Sequence, residues 1–207
     1  MELKLPRNAV VNKFVAKTKF YERLTLSTRL QNEFINKIQR ITWKYKLAEE
    51  TIGISKTKNV TEIQIFEIEL KEQVIPKNVL KIIDKTIRYH ILYIFTYKNN
   101  TAYGITLKES TTPGNYYFSD WNEDIQFDFT GIDLEKVYQK LIKAFIKSEA
   151  KEKATFDEAI ALDSKIKKLE NDIQILENRI RREKQFNRKV DTNKILLEKK
   201  RELEKLT

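Results

Sequence analysis

Glu67, Glu69 and Lys71 occupy alternate positions at the end of a short isoleucine-rich run, Glu62-Ile-Gln-Ile-Phe-Glu-Ile-Glu-Leu70. Alternation along a strand would set all three on one face. Carboxylates so placed can hold a divalent cation, and a neighbouring lysine can steady an attacking water. Glu69-Leu70-Lys71 thus matches the acid-x-lysine signature of metal-dependent nuclease cores. That chemistry also needs an acid on a preceding strand. The nearest candidates, Glu49 and Glu50, fall at the expected end of a helix. A solvent-facing strand with alternating charge explains the same residues and is the preferred reading. His90 is the single histidine, which excludes a multi-histidine metal site. It opens an apolar run, where a hydrogen-bonded core or edge histidine is expected. Gly53, Gly104, Gly114 and Gly131 are isolated, and none precedes Lys-Ser or Lys-Thr at the spacing of a phosphate loop. The absence of cysteine removes thiolate nucleophiles, disulfides and zinc-thiolate sites. No catalytic residue, metal or cofactor is therefore assigned.

Basic residues give the better candidates. Between Arg179 and Lys189 stand Arg179, Arg181, Arg182, Lys184, Arg188 and Lys189, against Glu183 alone. A cluster of this kind can contact phosphates, each contact adding to the salt dependence of binding. Phe186, if exposed among them, could stack on a base or dock in a protein partner. The plainer reading is a solvated turn that Phe186 closes. A second group is Arg29, Lys37, Arg40 and Lys44, which with Asn36 would line one stripe of a helix, Trp43 at its edge. That stripe resembles a phosphate track with one stacking ring, but an ordinary basic surface helix is the preferred reading. Tyr116, Tyr117 and Trp121 are expected in the core.

The elements that must position these residues can be read from periodicity. Leu30, Phe34, Ile38, Ile41 and Tyr45 recur at helical spacing, so a helix is expected from Ser27, its N-cap, to about Leu47. The isoleucine-rich run is a strand, and Pro76 opens a helix reaching about Arg88. His90 to Tyr97 and Thr101 to Lys108 read as a hairpin around Asn99-Asn100. Tyr116 to Trp121 would add a strand after a Pro113-Gly114 turn, and Asp133 caps a helix whose Leu134, Val137, Tyr138, Leu141, Ile142 and Phe145 face inward. The fold class is α+β, a small mixed β-sheet covered by helices, with residues 1–148 as a basic domain.

After Ser148 the pattern changes. Neither Gly nor Pro occurs between Ile132 and the C-terminus, and Ala159, Leu162, Ile166, Leu169, Ile173, Leu176 and Ile180 form a heptad seam. Polar residues interrupt it near Glu183, and a second helical segment begins near Thr192 with Ile195, Leu196, Leu203 and Leu206. Residues 149–207 are thus expected to form an antiparallel helical hairpin, a coiled-coil arm. Its first helix, at about 32 residues, would be about 45–50 Å long. The seam could pack on the second helix, on a copy of itself as a homodimer, or on another protein.

The chain has 207 residues, 41% of them apolar and 34% charged, with a net charge of +10. The charge is uneven: +8 over residues 1–60, −1 over 61–148 and +3 over 149–207. A positive field of this kind favours phosphates or acidic partners. No run approaches the roughly 20 apolar residues that cross a bilayer, and Met1-Glu2-Leu3-Lys4-Leu5-Pro6-Arg7 lacks the apolar stretch of a secretory signal. A cytoplasmic protein without membrane contact is expected.

Three stretches carry a family likeness: Val11-Asn12-Lys13-Phe14 through Phe20-Tyr21-Glu22, Ile41-Thr42-Trp43-Lys44-Tyr45-Lys46-Leu47, and Glu183-Lys184-Gln185-Phe186-Asn187-Arg188-Lys189-Val190. Together the chain resembles, nearly end to end, the bacterial family called domain of unknown function 4391. Members tend to be encoded beside helicases and DNA methyltransferases of restriction-like defence loci. The resemblance implies a helicase or methyltransferase subunit as protein partner and DNA nearby, and supplies no catalytic residues. The expectation is a non-catalytic accessory subunit of a DNA-processing or phage-defence complex. The alternatives are a divergent metal-dependent nuclease using Glu67, Glu69 and Lys71, and a homodimeric coiled-coil scaffold without nucleic acid.

Overall fold

Ser27 caps a helix as its sequence predicts, its hydroxyl accepting from the Leu30 amide, but in the computed structural model that helix ends at Lys37. Ile38–Leu47 is a strand, which corrects the expected continuation of the helix to Leu47. The physical reason is a pair of bulges against the neighbouring strand, one between Ile38 and Arg40 and one between Trp43 and Tyr45. Each bulge inserts a residue and delays the alternation. The first bulge sets Ile38 and Ile41 on one buried face at a spacing of three, opposite Leu70 and Ile68, and the second turns Tyr45 to the other face, opposite Ile65; burial on both faces completes the spacing of a helix.

The structure describes residues 3–24, 26–109, 112–146, 150 and 155–206, and the chain divides into two compact units, Met1–Phe145 and Ile146–Thr207. The boundary expected after Ser148 lies outside the described residues. The first unit runs β1 (Val10–Phe14), α1 (Thr18–Arg23), α2 (Thr28–Lys37), β2 (Ile38–Leu47), α3 (Glu49–Ile52), β3 (Ile63–Leu70), α4 (Lys77–Thr86), β4 (His90–Tyr97), β5 (Asn100–Glu109), β6 (Thr112–Phe118) and α5 (Leu134–Lys143). The strands form one sheet in the order β1-β2-β3-β4-β5-β6. Every neighbouring pair is antiparallel except β3 and β4, which α4 joins in parallel as a crossover. The sheet is mixed and the class α+β, as the order of elements predicts. Strand β1, helix α1 and the short α3 are additional to the sequence reading. Pro113 and Gly114 lie inside β6 rather than in a turn before it. β6 is an edge strand, where a proline is tolerated.

Both faces of the sheet are covered. On one, Phe20 and Phe34 from α1 and α2 and Val79, Leu80 and Ile83 from α4 pack on Phe66, Ile68, Tyr93 and Phe95. On the other, α5 lies against β4 and β5: Tyr138 meets the His90 ring edge-on at 4.3 Å, and its hydroxyl accepts from the Lys108 amide and donates to the Thr106 carbonyl. Gly104 in β5 is required by close packing. A Cβ there would sit 2.8 Å from the Phe118 ring and 2.9 Å from that of Phe95. Gly104→Ala is therefore expected to cost about 1–3 kcal/mol through overpacking. A urea melt with an unchanged midpoint would show that these rings yield freely.

The second unit contains α6 (Phe156–Arg182) and α7 (Phe186–Glu204), packed as a hairpin. Thr155 and Glu158 form a reciprocal capping box at the start of α6. At 27 residues, α6 is about 40 Å long. Its expected seam is the inward one: Ala159, Ile166 and Leu169 are buried, and Leu162, Ile173, Leu176 and Ile180 are half-buried. On α7 the inward line is Thr192, Leu196 and Leu203, while Ile195 is 48% exposed. No helix among the described residues is long and apolar enough to cross a membrane.

Candidate nucleic-acid interface

Along the hairpin three lysines pair with carboxylates of the facing helix among the described residues. Lys165 meets Glu202 at 3.1 Å, Lys199 meets Asp172 at 2.8 Å, and Lys200 meets Glu177 at 2.7 Å. Opposite charges on facing helices fix register more than they add stability, since such exposed pairs contribute about 0–1 kcal/mol each.

The bend differs. Glu183-Lys184-Gln185 connects the helices, and the Glu183 carboxylate folds back to accept from the Lys184 and Gln185 amides, both at 2.9 Å. Those bonds, that of Gln185 foremost, hold the carboxyl below its usual range, with the Arg188 and Arg179 charges adding to the effect. Glu183 is thereby a structural anion of the turn. Around it, Arg179, Arg182, Lys184 and Arg188 line an open hollow of about 710 Å³ together with Ile175, Asn178 and Gln185. Arg181 and Lys189 are exposed beside it without lining it. Not one of the six cations forms an ion pair among the described residues. Phe186 opens α7 with 77% of its surface exposed, so it does not close the turn by burial.

Composition contains a signal here that a count of positive charge misses. Lysine outnumbers arginine 30 to 10 over the chain, yet four of those arginines fall between residues 179 and 188. A guanidinium offers a planar fork of donors that fits a phosphate bidentately, which an ammonium cannot do.

The second basic group is not brought together as a helical stripe. Arg29 and Lys37 lie on α2, whereas Arg40, Trp43 and Lys44 lie on β2. Lys37 pairs with Glu33 at 3.8 Å and Glu72 at 3.6 Å, and Lys44 pairs with Glu67 at 3.6 Å. The Arg40 guanidinium stands 5.6 Å over the Phe14 ring. Trp43 stacks on Phe66 at 6.3 Å and donates its indole N–H to the Tyr45 carbonyl.

Glu67 and Glu69 do share a face of β3, but their surroundings differ. Glu67 and Lys44 line a cavity of about 340 Å³ with Thr96 and Thr101, whereas Glu69 is exposed. Lys71 lies past the end of the strand, where its charge, after burial, helps hold the Lys17 ammonium below its usual range. Among the described residues no group of three metal-ligating side chains forms.

One charged constellation escaped the sequence reading. Lys108 of β5 is buried with Asp84 of α4, at 3.1 Å, and its ammonium also donates to the carbonyls of Asp84, Ile87 and Tyr89. Tyr116 donates to the second Asp84 oxygen at 2.5 Å. The available signal was an aspartate on the apolar face of a helix, one turn beyond Leu80. The group ties α4 to the sheet, with Asp84 and Lys108 both buried, so it is structural.

No curated protein and no solved structure matches the chain. A family match does exist, and it spans the sheet unit and the hairpin alike: residues 3–203 fit the description "Domain of unknown function (DUF4391)", and the chain belongs to that family.

Proposed function

We propose that this chain is a non-catalytic accessory subunit that contacts nucleic acid through the bend of its C-terminal hairpin. Its setting is a DNA-processing or restriction-like defence assembly, with a helicase or methyltransferase subunit as protein partner. The family resemblance supports the assembly, and the geometry supports the contact. One observation carries the second point: the six cations around the bend form no ion pair among the described residues and four of them line one open hollow, whereas Lys165, Lys199 and Lys200 each face a carboxylate of the opposite helix. Unpaired arginines converging on an open depression are poised to exchange counterions for phosphates, whereas paired lysines would first have to leave their carboxylates. Ile195 and Leu197, exposed farther along α7, offer apolar surface to the protein partner.

The test is an anisotropy titration of labelled DNA at several salt concentrations. Arg179→Gln, Arg182→Gln and Arg188→Gln together should weaken binding about tenfold or more and make the salt slope shallower by about 3. All three side chains are exposed, so the helical signal should be unchanged. Equal affinity and equal slope in the triple variant would remove the bend as the contact surface.

A further inference from the structure

Resting on that reading, we infer that the bend selects single-stranded nucleic acid over duplex, with Phe186 as the ring on which a base stacks. A duplex offers phosphates to any cationic surface but keeps its base faces covered by stacking. An exposed ring beside the phosphate contacts adds nothing to duplex binding. A single strand can turn its bases outward, and each base has a face that a ring can cover whatever the sequence. The bend holds both required parts. Arg179, Arg182, Lys184 and Arg188 line the hollow, and Phe186 follows Gln185, the last of the three connecting residues, at the start of α7. Val190, one helical turn on, is itself 38% exposed and extends the apolar platform beside the ring. Ile175 lines the hollow from α6 and is 56% exposed, giving a second apolar surface within the cationic rim. Ile175 within the rim of arginines, and Phe186 next in the chain to the lining residue Gln185, suit a ligand that is anionic along one edge and flat and apolar along the other. The guanidinium planes serve the same ligand, since they stack on bases as well as bind phosphate.

The experiment compares three probes of equal length, about twelve nucleotides: oligothymidylate, the same strand made abasic, and a duplex. The full-length chain should bind oligothymidylate about tenfold more tightly than either the abasic strand or the duplex. Phe186→Ala should erase that preference while leaving abasic and duplex affinities unchanged, and Phe186→Trp should restore it. The triple arginine variant should weaken all three probes. If that variant lowers affinity while Phe186→Ala leaves the preference intact, the base-stacking role is wrong and phosphate contact stands. If the arginine variant changes nothing, the underlying reading fails with it. Equal wild-type affinity for the thymidylate and abasic strands would overturn the inference directly.

Discussion

Lys108→Met is expected to destabilise the sheet unit by about 3–5 kcal/mol, the usual cost of leaving one member of a buried ion pair alone. Asp84 and Lys108 are both nearly inaccessible. Burial pushes the Asp84 carboxyl up and the Lys108 ammonium down, and their mutual attraction opposes both shifts. Methionine matches the length of the lysine stem but supplies no donor. The substitution therefore strands the carboxylate and also the carbonyls of Asp84, Ile87 and Tyr89 at the end of α4. Adding Asp84→Asn should recover part of the loss, because a neutral amide can still accept from Tyr116 without an unpaired charge. Urea denaturation of the two variants decides the matter. A wild-type midpoint for Lys108→Met would mean that water reaches the pair, and a double variant weaker than the single would mean that charge is not the issue.

Acid should cost the protein about 3 kcal/mol through His90 alone. Its imidazole is lowered from 6.5 to about 4, first by burial and then by the Lys108 charge, with Glu135 pulling the other way. Between those values the unfolded chain binds a proton that the folded chain refuses. Stability is therefore full above pH 6.5, falls as the pH is lowered toward about 4, and loses nothing further from this group below that. Carboxylates titrate in part of the same window, so the decisive quantity is the difference between wild type and His90→Phe, which keeps a ring against Tyr138. The variant should lose less stability between pH 6.5 and 4 than the wild type. Parallel pH profiles would show that His90 takes up its proton without unfolding.

Several parts of this fold were legible because local pattern and tertiary role agree. The α6 seam kept its spacing through seven positions, and the same positions turn inward. Helix α4 and the β4–β5 hairpin were likewise marked by a proline, an asparagine-rich turn and apolar periodicity. Strand β2 was illegible for a specific reason: one bulge together with burial on both faces reproduces helical spacing, so no scan for period alone could separate the two states. On α7 the apolar residue Ile195 suggested the seam, but stepping back four from Leu196 lands on Thr192, and the threonine is the buried one. Its hydroxyl donates to the Arg188 carbonyl, which lets a polar side chain occupy that line. For the candidate site, the cluster of cations was visible in the sequence. Its distinction from the rest of the hairpin was not, because pairing between α6 and α7 depends on which residues face across the turn.

The sheet has one more property with a consequence in the cell. Its spatial order of strands is the same as their order along the chain, through the parallel crossover as well as the antiparallel turns. During synthesis each new strand therefore finds its only earlier neighbour already in place at a growing edge, and none must wait for a segment still inside the ribosome. Pairing each strand with its neighbour in the chain closes the shortest connections this set of elements allows, which favours rapid folding for a sheet protein.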